Sequence, residues 1–161
     1  MLNTHNAGKS LLKNLAFRHR KSHPVTMETA NPNPLILCFD YGLKYIGVAT
    51  GRTAYTITQQ PTLKHPLSNQ ELNSILSKHR ADRIAVGYPL NMDGSRQTMT
   101  QHVDDFIKRL KKLQSQPIDL VDERLTTYEA KRRLNQHQGD WNKVNATAAQ
   151  VILEQWFYEH C

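Results

Sequence analysis

The segment Leu35-Ile36-Leu37-Cys38-Phe39-Asp40 constrains the fold of this chain more than any other. Five apolar side chains in succession leave no polar face. The segment therefore reads as a strand covered on both sides, at the centre of a sheet rather than at its edge. It ends in a carboxylate, passes through Tyr41-Gly42 and resumes as Tyr45-Ile46-Gly47-Val48-Ala49. An acid at the carboxyl end of a central strand stands at the rim where open α/β sheets place their chemistry. A carboxylate held there in its charged form needs a partner, and a divalent cation is the usual one.

The pattern beyond this strand predicts a mixed α/β domain. Strands are expected over 35–40, about 44–50 and 54–60, with links short enough for an antiparallel meander. Ser68-Asn69-Gln70-Glu71 has capping-box spacing and opens a helix with Leu72, Ile75, Leu76 and His79 on one face. A short buried strand, 83–87, ends in the loop Tyr88 to Ser95, where Asp93 or Ser95 is placed to cap the next helix. That helix carries Met99, Val103, Phe106, Ile107 and Leu110 on one stripe. Strand 118–121 runs into Asp122-Glu123-Arg124. Thr126-Thr127-Tyr128-Glu129 offers a second capping box, and its helix ends before Gly139. The last helix is expected to start near Asn145, with Ala149, Ile152, Leu153 and Trp156 together. The two later strands each adjoin a helix, so they are expected parallel to the first. The result is a three-stranded antiparallel meander extended by two parallel strands and covered by helices.

Composition bounds the partners. The net charge is +7, but residues 1–27 hold Lys9, Lys13, Arg18, Arg20 and Lys21 with no acid, which leaves +2 for the remainder. An acid-free basic N-terminus suits a nucleic-acid arm or a targeting peptide. The favoured reading is a disordered extension, or a start assigned too early, with Met27 opening the compact part. Asn31-Pro32-Asn33-Pro34 is a breaker-rich linker, so residues 1–34 and 35–161 are read as extension and domain. Of the two cysteines, Cys38 lies inside the first strand and Cys161 is terminal, which fits a reducing cytoplasm. No apolar run approaches the ~18 residues of a membrane span.

Asp40 and the Asp122-Glu123 pair both close strands. Central, parallel strands would bring these acids to one edge of the sheet, where they repel unless a cation lies between them. Oxygen-only ligands suit Mg²⁺ or Mn²⁺ rather than zinc, and none of the eight histidines shows ligand spacing.

Three stretches carry a family resemblance: Asp40-Tyr41-Gly42 with Ile46-Gly47-Val48-Ala49, Gly87-Tyr88-Pro89-Leu90-Asn91-Met92-Asp93-Gly94, and Asp122-Glu123-Arg124-Leu125-Thr126-Thr127. In this order they closely resemble the YqgF family of bacterial pre-16S rRNA nucleases and Holliday-junction-resolvase-like proteins. The resemblance spans about residues 35 to 158. It implies an RNase H-like fold and a metal-dependent endonuclease acting on structured nucleic acid, with a role in maturing the 5′ end of 16S rRNA. Of the family's three site acids, the first falls on Asp40 and the second on Glu123, and both would hold the metal. The third is expected as Asp at the start of the last helix, and here that position is Asn145. Asn keeps a carbonyl oxygen but no charge, so helix capping would survive while metal affinity falls. Asp140 and Glu154 are the acids nearest to compensating, though neither sits at the expected place.

The loop Pro89 to Gly94, with Asn91, Asp93 and Gly94, offers backbone amides to a phosphate. Lys44, Arg96 and Arg124 flank the acids as candidates for the nucleic-acid backbone. Tyr41 and Tyr88 are candidates for base stacking, with packing as the competing role. Structured RNA, pre-16S rRNA first, is the expected partner and branched DNA the second, for a chain acting as a monomer or weak dimer. Two other readings stand beside the nuclease: an RNA-binding assembly factor that has lost efficient cleavage, and a DNA junction resolvase, which would want a dimer.

Overall fold

The computed structural model describes residues 31–125, 128–137 and 139–161. The basic extension, apart from Asn31 to Pro34, and the Thr126-Thr127 half of the second capping box lie outside them. Five strands form one sheet. The chain runs β1 (Ile36–Tyr41), β2 (Tyr45–Gly51), β3 (Thr58–Lys64), α1 (Asn69–His79), β4 (Arg83–Tyr88), α2 (Thr98–Leu113) and β5 (Ile118–Asp122). A single 3₁₀ turn, Glu123–Leu125, follows, then α3 (Tyr128–Asn135) and α4 (Trp141–His160). The sheet order is β3-β2-β1-β4-β5. β1 pairs antiparallel with β2 and parallel with β4, β2 pairs antiparallel with β3, and β4 pairs parallel with β5. This is the expected mixed sheet, an antiparallel meander extended by two parallel strands, with β1 at its centre.

β1 is apolar throughout because it is covered twice. Leu37 and Phe39 face α1 and α2, in a core with Val86, Leu72, Val103, Phe106 and Leu110. Ile36 and Cys38 face α4, with Ala149, Ile152, Leu153 and Trp156. Full burial of each large side chain contributes roughly 1.5–3 kcal/mol. Side chains alternate along a strand, so Asp40 continues the Ile36–Cys38 series and faces α4.

The α4 face is built from small residues. Cys38 pairs with Ala49 on one side and Ala85 on the other. One step on, Asp40 pairs with Gly47, and Gly87 follows Val86, the partner of Phe39. This row of small side chains lets α4 approach the sheet closely.

Three expectations are corrected. β3 occupies 58–64, not 54–60. Thr53 to Thr56 form a turn instead: Thr56 N–H donates to Thr53 O at 3.1 Å, and Thr56 Oγ1 accepts from Arg52 and Thr53 N–H. The true strand is a polar edge, and it takes up Pro61 at a bulge where the register shifts between Ile46 and Val48. The last helix starts at Trp141, not near Asn145, because Asp140 is its cap and accepts from Lys143 N–H at 3.2 Å. Asp93 and Ser95 do not cap α2; that role falls to Gln97, whose N–H donates to Thr100 Oγ1. The α1 capping box is as expected, with Ser68 Oγ accepting from Glu71 N–H and Glu71 Oε2 accepting from Ser68 N–H.

Candidate active site

β1 delivers Asp40 to the carboxyl end of the sheet, and the turn after β5 delivers Glu123 to the same end and the same face. Two close approaches define the space around them. A Cβ on Gly47 would lie 2.0 Å from the carbonyl oxygen of Asn145, so the start of α4 rests directly on the residue opposite Asp40. A Cβ on Gly87 would lie 2.6 Å from both Glu123 Oε1 and Ile152 Cδ1, so the Glu123 carboxylate occupies the room that the missing side chain leaves. Asp40, Glu123 and Asn145 therefore gather at one end of the sheet, under the first turns of α4.

The electrostatics record this crowding. Burial pushes the Asp40 carboxyl up to about 6, and no described hydrogen-bond donor satisfies its oxygens. Burial, then the charges of Asp40 and Asp122, push Glu123 up to about 7. The buried Cys38 thiol behind them is pushed up by burial first and then by the charges of Asp40 and Glu123. Carboxylates that oppose each other's ionisation in a half-buried site are a ready cation site, and oxygen donors favour a hard divalent ion. Among the described residues, no group of three or more His, Cys, Asp or Glu gathers into a metal cluster. The third position is Asn145, whose Nδ2 donates to Trp141 O at 2.6 Å, which leaves Oδ1 as its oxygen donor.

Neither compensating acid is available. Asp140 caps α4, and Glu154 accepts two hydrogen bonds from the Arg133 guanidinium, at 3.0 and 2.5 Å.

Asp122 is neutralised locally. Arg124 binds it through Nε at 3.0 Å to both oxygens and through Nη2 at 2.6 Å. This fork holds the Asp122 carboxyl below its ordinary value, and Glu123 is left as the inward acid of the pair. The same guanidinium reaches Met92 O at 3.4 Å and lies 3.3 Å from where a Gly94 Cβ would be. Arg124 thus ties the loop after β4 to the end of β5.

That loop is closed on itself. Asn91 Nδ2 donates to Ser95 Oγ at 2.9 Å, Asp93 Oδ1 accepts from Ser95 N–H at 2.8 Å, and Gly94 N–H donates to Asn91 O at 2.8 Å. Gly94 sits at φ 85°. Its amide is thereby committed within the turn rather than offered outward. Arg96 pairs with Asp104 and donates to the Tyr88 hydroxyl at 3.1 Å, while Tyr88 donates to Asp104 at 2.9 Å. Tyr88 is accordingly held in this network, and Tyr41 packs on Phe106 and His65, with ring centroids 5.0 and 5.4 Å away. Both tyrosines thus serve packing, as partly buried side chains against the core. Lys44 lies exposed at the β1–β2 hairpin tip, with no ion pair among the described residues.

Residues 34–159 match the RuvX family, described as Holliday junction resolvase. The chain belongs to this family. A relative from Pseudomonas aeruginosa, named "Putative pre-16S rRNA nuclease", is 39% identical over 145 residues, which is 83% of this chain and 99% of that protein. Relatives with the same name from Buchnera aphidicola and Coxiella burnetii are 39% and 38% identical, over 76% and 80% of this chain and 96% of each of theirs. Within this RuvX chain, two features escaped the sequence reading. Gly47 and Gly87 make the space for the acids, and their meaning depends on what packs above them. Trp141 lies one turn before Asn145 with two-thirds of its surface exposed, outside any apolar stripe that would have drawn notice.

Proposed function

We propose that this protein is a divalent-metal-dependent endonuclease that cuts structured RNA and matures the 5′ end of pre-16S rRNA in the cytoplasm. The observation that carries the reading is the placement of Asp40 and Glu123 on one face at one end of the sheet, each with its ionisation opposed by its surroundings. The names of the relatives support the substrate. No helix of the described residues is long and apolar enough to cross a membrane.

The donor set fits Mg²⁺ or Mn²⁺: Asp40 and Glu123 would hold the ion, with the Asn145 carbonyl as an uncharged third donor. When bound, the ion would polarise the phosphate and lower the pKa of an attacking water. Asp40 and Glu123 must both be ionised to hold it, so they release protons as it enters. Arg124 fixes the turn that carries Glu123 and holds Asp122 out of the site. Lys44, at the rim, is free to meet the RNA backbone.

Asn145 favours a second reading, an assembly factor that binds RNA without cutting it, because a neutral third position weakens the hold on a second cation. Incubation with a pre-16S leader RNA and with a four-way DNA junction, each with Mn²⁺, separates the readings. The proposal expects the RNA to be cut and the junction left intact. Cutting of the junction alone would transfer the chain to DNA resolution, and tight RNA binding with no cut would favour the assembly factor.

A further inference from the structure

At the start of α4 lies an open concavity of about 600 Å³, bounded by Tyr45, Thr62, Lys64, Asp140 and Trp141. That volume lies within the range of small-molecule clefts. Tyr45 and Lys64 are directly paired across β2 and β3. Tyr45 lies two residues before Gly47, hence on the same face of β2, and Gly47 is the partner of Asp40. On the other side, Asn145 Nδ2 bonds Trp141 O. The cleft therefore lies one step outward from the acid site along β2 and one turn back from it along α4.

Its lining sets an aromatic ring and a cation in one cleft. Trp141 is 66% exposed, whereas Trp156 on the same helix is 4% exposed and bonded to Asp119. Lys64 is exposed and without an ion pair among the described residues, as is Lys44 at the neighbouring hairpin tip. The one carboxylate in the wall, Asp140, is occupied: it caps α4 and lies 3.8 Å from Lys143 Nζ. Thr62 Oγ1 donates to Asn142 O at 3.2 Å and ties the floor to the helix. An exposed indole in one cleft with the unpaired Lys64 ammonium suits an unstacked base and its phosphate, a pairing that duplex RNA cannot offer because its bases are already stacked.

We infer that this cleft takes an unpaired nucleotide of the RNA, stacked on Trp141 with its phosphate at Lys64, so that the substrate is a junction between single strand and duplex. This rests on the RNA-nuclease reading and names its substrate class.

The test is binding without metal, in EDTA at fixed salt, of a labelled RNA hairpin with a single-stranded 5′ tail and of the same hairpin made blunt. Trp141→Ala is expected to weaken binding of the tailed hairpin by about five- to a hundredfold, the span of base–aromatic stacking, and to leave the blunt one within about twofold. Trp141→Phe should keep most of the affinity, and Lys64→Gln should weaken the tailed form and reduce its salt dependence. Equal binding of the tailed hairpin by the parent chain and Trp141→Ala would overturn the inference, as would an equal loss on the blunt form. Cleavage plays no part in this readout. A chain that stacks RNA but never cuts would sink the enzyme reading alone, and a chain that cuts without this difference would sink the stacking seat alone.

Discussion

The carbonyl oxygen of Asn145 rests on Gly47, so closely that a Cβ there would lie 2.0 Å from it. Gly47 is also the strand partner of Asp40. One glycine thereby sets the distance between the first acid of the site and the helix that carries the third position.

The two glycines of the site should fail differently when filled. Gly47→Ala drives a methyl into backbone, which cannot yield without moving α4. It is expected to cost about 2–3 kcal/mol and lower the melting temperature by about 5–10 °C. Gly87→Ala meets only the ends of Glu123 and Ile152, which can swing aside. Its stability loss should be about 1 kcal/mol, but cleavage should fall at least about tenfold as the carboxylate is displaced. Thermal melts and cleavage rates on both variants check the contrast.

Stability should depend on pH through the same acids. Asp40 titrates at about 6 and Glu123 at about 7, against ordinary values of 3.8 and 4.5. Both are raised, so the folded chain binds more protons than the unfolded one between these limits. The pair's contribution is most favourable at the acid end and declines as pH rises through the folded values. Asp40→Asn removes one of the opposed charges. At pH 8 without divalent metal it should be more stable than the parent by about 1–3 kcal/mol, a gap that closes toward pH 4. Denaturant melts at both pH values check this, and a variant less stable at pH 8 would contradict it.

Arg124 joins the loop after β4 to the end of β5 through Met92 O and the Asp122 carboxylate. Arg124→Ala should loosen that loop: amide exchange at Gly94 should speed up, cleavage should drop about tenfold, and stability should fall by about 1–2 kcal/mol. Arg124→Lys should not restore the loop, because an ammonium cannot reproduce the fork.

How legible each element was follows from where its stabilisation lies. β1 could be read because burial on both faces leaves an uninterrupted apolar run, and α1 because Ser68 and Glu71 satisfy each other locally. β3 was displaced because it is a polar edge strand whose place is set by the bulge opposite β2, not by its own pattern. The start of α4 was missed because its first turn, from Trp141, lies mostly in solvent and shows no apolar stripe. Asp40 and Glu123 were visible as strand-end acids. Asp93 and Ser95 N–H follow the local rule of an Asx turn, whereas the bonding of Asn91 to Ser95 and of Arg96 to Asp104 follows no spacing rule.

The most direct measurement is the Mn²⁺-dependent cleavage rate on a pre-16S leader RNA for the parent chain, Asp40→Asn and Asn145→Asp. A metal site built on Asp40 and Glu123 with a neutral third position predicts cleavage by the parent, loss of at least about a hundredfold in Asp40→Asn, and a gain of about tenfold or more in Asn145→Asp. Equal rates in the parent and Asp40→Asn would contradict the account.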